Sequence, residues 1–190
     1  MHRTPPEGTA DHFIYAVAVE SFFLRAMAGR LDEAARGRIR EAGIDLGQPL
    51  RLIYRAEVFH RAVALAAEAA FADVPPEEAH YRAGRVHIDA FVQSLPGKMM
   101  SAFARQIEPA TILEYAATFI RLGNNFTESR ARSLGPNRME VWMNDVGDVP
   151  GWYRGIVTRG LEVSNVAGAE VLIASRAPPS VTFEVTWQQR

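Results

Sequence analysis

The sequence predicts an α+β fold, in which an N-terminal layer of five to six helices precedes a ββαββ unit. Two observations support this prediction. Apolar residues recur at helical spacing up to Gly123-Asn124-Asn125, and they alternate with polar residues in most of the strand segments after it. The later segments are separated by short turns, so their four strands are expected to form one antiparallel sheet.

Composition is typical of one globular domain. Of the 190 residues, 48% are hydrophobic and 23% are charged. We expect a disordered tail over residues 1–8 and a single domain over residues 9–190. The absence of cysteine excludes disulfides, thiol catalysis and thiolate metal sites. A net charge of −1 gives no electrostatic footprint for nucleic acid.

The start of the chain predicts a cytoplasmic protein. Met1–Gly8 is polar and has no apolar stretch preceded by basic residues, so a secretory signal is not expected. The longest apolar run, Phe13–Val19, is too short to span a bilayer.

Helix start and stop signals divide the first part of the chain. Asp32 can cap a helix that ends at Gly43, and Asp73 followed by two prolines is a strong start. Pro96-Gly97 is expected to end the helix that starts at Asp73. The predicted helices cover about residues 10–28, 32–43, 55–72, 98–106 and 109–123, and a further one runs from the start signal at Asp73 to about Leu95.

The ββαββ unit occupies the remainder of the sequence. Phe126–Asn144 reads as strand, turn and strand, Pro150–Val166 as a helix, and Glu170–Trp187 as a second strand–turn–strand. In Thr127–Ser133 small residues alternate with charged ones, which predicts an exposed edge strand.

No stretch of the sequence specifies a reaction. Among the five histidines there is no metal-binding pair at helical spacing, and neither a nucleophile elbow nor a phosphate-binding loop occurs. We therefore predict no catalytic residues, no metal and a non-enzymatic role. His87 lies among apolar neighbours that include Phe91, so both are candidate ligand-binding residues. An enzyme would need an acid–base pair, and only His87 with Glu114 or Asp89 would merit testing.

A second set of candidates surrounds the junction between the helices and the sheet. Arg121 and Asn125 follow a helix end, and they could close one end of a cleft. The alternative is a solvated edge strand after an asparagine that ends the helix. Trp142, Trp152 and Tyr153 are aromatic residues near the same junction. Such residues are more often core than cofactor contacts.

Several short motifs follow one another along the sequence, and they are Ile39–Leu46, Pro75–Ala79 with Gly84, Arg121–Glu128, Leu134–Pro136, Gly155, Leu161-Glu162, Gly168-Ala169 and Phe183–Trp187. With these motifs in this order, the sequence resembles an uncharacterised family of domains of about this length, found chiefly as paralogues in myxobacteria. The resemblance covers nearly the whole chain after about residue 20. The family has no agreed activity.

The order of helices and ββαββ is also similar to a superfamily that includes haem nitric-oxide/oxygen-binding domains, 4-vinyl reductase domains and TRAPP subunits. That resemblance implies a small ligand or acyl chain between helices and sheet. The haem-binding branch uses a Tyr-x-Ser-x-Arg clasp, whereas this chain has Phe126-Thr127-Glu128-Ser129-Arg130. On this ground we expect no cofactor and disfavour haem.

Two functions are predicted. The first is a non-enzymatic sensory domain that binds an apolar small molecule or lipid in a pocket between helices and sheet, through His87, Phe91, Arg121, Asn125, Trp142 and Tyr153. The alternative is a protein–protein interaction module that acts as a homodimer or adaptor.

Overall fold

The computed structural model describes residues 11–188. The predicted tail over residues 1–8 lies outside this range. The first part contains β1 (Phe13–Tyr15), α1 (Ala16–Val19), a π-helical segment (Glu20–Ala26), α2 (Glu33–Glu41), β2 (Ile53–Arg55), α3 (Ala56–Ala70), α4 (Pro76–Gln93), α5 (Leu95–Ala104), α6 (Pro109–Glu114) and α7 (Ala116–Ile120). Next come β3 (Ser129–Gly135), β4 (Arg138–Met143), α8 (Pro150–Val163), β5 (Glu170–Ala177) and β6 (Ser180–Thr186). The predicted α+β class is confirmed.

The first predicted helix is wrong over its first turn. Residues 13–15 form β1, which pairs antiparallel with β2 and places Ile14 opposite Tyr54. Neither strand was predicted. Their pairing joins segments far apart in sequence, and a local apolar pattern cannot reveal such a partner.

Two helix boundaries also differ from the prediction. The break after α4 lies at Ser94, whose hydroxyl accepts a hydrogen bond from the Gly97 amide at 3.1 Å. Pro96 therefore lies in the first turn of α5, where its missing N–H costs nothing. The helix predicted from Pro109 to Gly123 is two helices, separated at Tyr115. Seven α-helices, rather than five or six, precede the sheet within residues 11–188.

The second part is a four-stranded antiparallel sheet in the order β3-β4-β6-β5. β3 lies at an edge, as its exposed pattern predicted. One face is buried through Met139, Val141 and Met143 on β4 and Val181, Phe183 and Val185 on β6, and these side chains belong to the same apolar core as the helices.

Close contact between α4 and α8 joins the two parts. A Cβ atom on Gly84 would lie 2.0 Å from the Trp152 carbonyl oxygen, and one on Gly155 would lie 2.1 Å from the Tyr81 carbonyl oxygen. Only glycine permits this separation of the two backbones.

An ion-pair network connects the same two helices. Arg85 of α4 donates two hydrogen bonds of 2.8 Å to the carboxylate of Glu162 on α8. Arg159 of α8 bridges Glu162 and Asp89, at 2.8 and 2.7 Å. Between residues 11 and 188, no helix is long and apolar enough to cross a membrane.

Candidate functional site

A cavity of about 250 Å³ lies among the helices. Its walls are contributed by β1 and α1, the π-helical segment, α3, α4, α5, α6, α7 and α8. The lining is almost entirely apolar and includes Ile14, Val17, Ala18, Phe59, Ile88, Phe91, Val92, Met100, Ala104, Ile112, Leu113, Phe119, Ile120, Leu122, Ile156, Val157 and Leu161. Such a lining suits a ligand that is itself largely apolar.

The cavity lies on the helical side of α8 and is not against the sheet. No residue of β3, β4, β5 or β6 is part of its lining as the structure describes it. The reason is that α8 packs tightly on α4, so α8 itself forms part of the cavity wall. Met143 of β4, for example, is fully buried in the sheet face.

His87 is the principal polar residue on the cavity wall. Its Nε2 atom lies 3.2 Å from the Ser21 hydroxyl, and its ring stacks on Trp152 with centroids 5.4 Å apart. Desolvation by the surrounding apolar groups lowers the pKa of His87 to about 4. The imidazole is therefore neutral at pH 7.

Two buried polar atoms beside the cavity lack a hydrogen-bond partner among the described residues. They are Nδ1 of His87 and Nε1 of Trp152, on the two rings that stack together. Buried polar groups are normally paired, so an unsatisfied pair on one wall is unusual.

Tyr153 connects the cavity with a second buried cluster. Its ring is part of the lining, and its hydroxyl lies 3.1 Å from Nε2 of His60. Burial raises the pKa of Tyr153, and it lowers the pKa of His60 to about 4 despite the opposing charge of Asp145. Asp145 is in turn bonded to His12 at 2.8 Å.

The cavity opens to the surface between α1 and the end of α7. Val17 and Leu122 both line it, yet they are 58% and 57% exposed. Two exposed apolar side chains at an apolar cavity provide an entrance through which a ligand can extend.

The structure brings only half of the predicted site residues together. His87, Phe91 and Tyr153 line the cavity. Arg121 and Asn125 lie at a separate polar depression, where the Asn125 side chain bonds the Phe13 amide and the Asp11 carbonyl.

Trp142 lies apart from the cavity. It points away from the buried face of β4, and the Arg130 guanidinium lies 5.0 Å from its ring centroid. The six predicted site residues therefore do not form one cleft.

Three of the cavity residues that the sequence reasoning did not assign are informative. Ser21 carries no signal, since a lone serine in an apolar helix is common. Trp152 adjoins the predicted Tyr153 and could have been included. Gly160, inside α8, was the best available signal, because a glycine in a helix interior is unfavourable without a spatial reason.

The acid–base pairs that an enzyme would need are not formed. Asp89 is bound to Arg159, Glu114 is exposed, and the polar contact of His87 is Ser21. Over the range 11–188, no three histidine, aspartate or glutamate residues cluster as metal ligands.

Comparison with known proteins identifies a family and a fold. The family model described as "Protein of unknown function (DUF2378)" matches residues 12–188. No curated protein sequence matches the chain.

Solved structures of H-NOX proteins share its fold. The Fe(II) unliganded H-NOX protein from K. algicida has a TM-score of 0.64 at 12% identity, covering 92% of this chain and 96% of that one. A variant of Tt H-NOX has a TM-score of 0.67 at 10% identity, covering 93% and 96%. A third structure, from a study of haem distortion in the H-NOX family, has a TM-score of 0.62 at 13% identity, covering 91% and 94%.

These neighbours correct one prediction. We expected no cofactor and disfavoured haem because the Tyr-x-Ser-x-Arg clasp is missing. That prediction is wrong: the structural neighbours are H-NOX proteins, one an Fe(II) protein and another from a study of haem distortion. A short motif at the start of β3 was too narrow a basis, since the fold is shared at only 10–13% identity.

Proposed function

This chain belongs to the DUF2378 family of unknown function, and on that premise we propose that it is a sensory domain that binds a small, mainly apolar molecule. The observation that supports this most is the cavity of about 250 Å³, which is apolar, opens to the surface and carries one neutral imidazole on its wall. The H-NOX-like fold supports the same proposal, because those neighbours include Fe(II) and haem proteins.

A cavity of this composition favours binding over catalysis. Its polar groups are few, and the charged side chains on α4 and α8 are paired with one another outside it. An apolar ligand would replace water at the lining, at roughly 25 cal/mol for each Å² of apolar surface removed from water. A charged group inside would lose its hydration without a partner.

Haem is a candidate ligand, because the cavity has an apolar lining and one neutral imidazole on its wall. A neutral imidazole is the usual protein ligand of haem iron, and His87 would be the residue that holds it. When bound, haem would supply an iron site whose properties depend on the polarity of the surrounding pocket. Ser21 and Trp152 would set that polarity, since they contact the His87 ring.

The size of haem makes the entrance important. The cavity volume is below the roughly 300–1,000 Å³ of common ligand sites, so a large ring would have to extend past Val17 and Leu122. Arg121, which is exposed and adjoins Leu122, would be a candidate cation for its acidic groups.

A titration with ferric haem tests this candidate. We expect purified protein to give a sharpened, shifted Soret band at equal stoichiometry, because His87 can coordinate the iron. In His87→Ala the band should resemble that of free haem. His80→Ala is the matched control, because His80 lies on the same helix but does not line the cavity. Equal spectra for His87→Ala and the original chain would contradict coordination by His87.

The broader proposal has a separate test. Native mass spectrometry after gentle purification, followed by organic extraction, should detect a small molecule retained at up to one per chain. A chain that retains nothing and binds no neutral apolar dye would contradict ligand binding altogether. The alternative function, a homodimeric or adaptor module, stays a prediction.

A further inference from the structure

The outer face of α5 is an exposed apolar stripe. Leu95, Met99 and Phe103 are spaced four residues apart, so they lie on one side of the helix. They are 74%, 66% and 60% exposed. Large apolar side chains in a contiguous row on a surface usually mark a contact with another molecule.

The charges beside this stripe have one sign. Lys98 lies on α5 and Arg105 follows it, both exposed. Residues 90–107 contain no aspartate or glutamate, although the whole chain has a net charge of −1. Neither cation has an ion-pair partner within the described part of the chain, and Nε of Arg105 donates a hydrogen bond of 3.1 Å to the Val163 carbonyl oxygen. An apolar stripe beside cations that no carboxylate neutralises is complementary to an anionic, apolar surface.

The opposite face of α5 forms a wall of the cavity. Gly97, Met100, Ser101 and Ala104 are lining residues, so the helix has one side toward the cavity and the other toward solvent. Gly97 packs tightly on the Phe91 backbone, which fixes the start of α5 against α4. The stripe is therefore held in a defined position directly outside the cavity.

We propose that α5 docks this domain on an anionic lipid surface, with Leu95, Met99 and Phe103 inserted at the interface. Lys98 and Arg105 contact lipid phosphate or carboxylate groups, and their aliphatic stems lie along the apolar boundary. The proposal goes beyond ligand binding, because it depends on the outer face of α5 alone. Docking there would place the cavity beside a source of lipophilic molecules.

The charge pattern favours a lipid surface over a second copy of the chain. A two-fold contact between stripes would use the same surface of both copies, so it would place both Lys98 side chains at one interface. Two ammonium groups at one interface repel each other, and no acidic residue of α5 could offset them. An anionic bilayer satisfies both the stripe and the cations.

Vesicle co-flotation tests this proposal with the full chain and no added ligand. One set of vesicles is phosphatidylcholine alone, and in the other about a third of the lipid is phosphatidylserine. We expect binding to the anionic vesicles, weaker binding to neutral ones, and a decrease as salt rises. The triple variant Leu95→Gln, Met99→Gln, Phe103→Gln should lower the bound fraction at least about tenfold.

Controls separate docking from folding and from ligand binding. Leu172→Gln removes an exposed apolar side chain on β5 and should bind vesicles like the original chain. The triple variant should keep its melting temperature, because its three side chains are exposed. Filling the cavity through Gly160→Leu should leave docking intact, so a failure of the proposed ligand binding would not remove it.

Three results would overturn the proposal. One is no flotation with anionic vesicles, and another is equal flotation of the triple variant. The third is a concentration-dependent dimer that the triple variant abolishes, since the stripe would then bind a second copy.

Discussion

At the scale of single residues, the interior is notable for two neutral histidines. His87 faces the cavity wall and His60 bonds Tyr153, and burial lowers the pKa of each to about 4. Because the folded protein holds these imidazoles neutral, their protonation in acid lowers the free energy of unfolding. The same neutrality leaves His87 free to accept or donate one hydrogen bond, or to ligate a metal ion.

This predicts a specific dependence of stability on pH. The pKa of His87 is about 4 in the folded chain against 6.5 when unfolded, so between these values the unfolded chain binds more protons. The free energy of unfolding is therefore highest above pH 6.5 and falls as the pH drops toward 4. Urea unfolding across this range should show a decline in the original chain that exceeds that of His87→Gln by about 1–3 kcal/mol.

His60→Gln should also reduce the decline in the free energy of unfolding toward pH 4, because burial lowers the pKa of His60 as it lowers that of His87. The comparison between variants isolates the histidines from the carboxylates, which titrate in all three proteins. Parallel profiles for the original chain and both variants would show that these imidazoles are not held neutral.

At the scale of elements, the contact between α4 and α8 organises the molecule. Gly84 and Gly155 let the two backbones touch, and the Arg85–Glu162 pair fixes their orientation. Since α8 connects the two hairpins of the sheet, this contact attaches the sheet to the helical layer. It also forms part of the cavity wall.

Alanine substitutions should distinguish these glycines from others in the same helix. Gly155→Ala would drive a Cβ into the Tyr81 carbonyl, so we expect a loss of several kcal/mol or failure to fold. Gly160→Ala, also in α8, meets nothing within 4 Å and should gain about 0.5–1 kcal/mol through helix propensity. Thermal unfolding of both variants measures the contrast, and a similar effect at the two positions would refute the close packing.

Some of the helices and strands could be predicted from the local sequence alone. Asp32 predicted the start of α2, and its carboxylate accepts the Ala35 amide at 2.8 Å. The alternation of apolar and polar residues predicted β4 and β6, because one face of each strand is buried. By contrast, β1 and β2 exist through their mutual pairing, and neither segment carries a pattern of its own.

At the scale of the whole molecule, the sheet and the cavity are separate parts of one apolar core. The sequence predicted both parts, but it placed the pocket between them. Spacing along a helix indicates which residues share a face, and His87 and Phe91 both line the cavity. It does not indicate which helix faces them, so Trp142 was assigned to the site and Ser21 was not.

The central claim is that the helical cavity is a binding site, and filling it tests this directly. Gly160 lines the cavity and a Cβ there meets nothing within 4 Å, so Gly160→Leu should occupy the space without strain. Gly37→Leu is the matched control: Gly37 is also inside a helix with open space around it, but it lies away from the cavity. Both substitutions replace glycine with a better helix former, so both variants should remain folded.

The decisive measurement is a fluorescence titration of a neutral apolar dye into the original chain and both variants. We predict saturable binding to the original chain and to Gly37→Leu, and binding weakened at least about tenfold in Gly160→Leu, since a leucine would occupy much of the available volume. Equal affinity in all three proteins, or no saturable binding to any of them, would contradict the account.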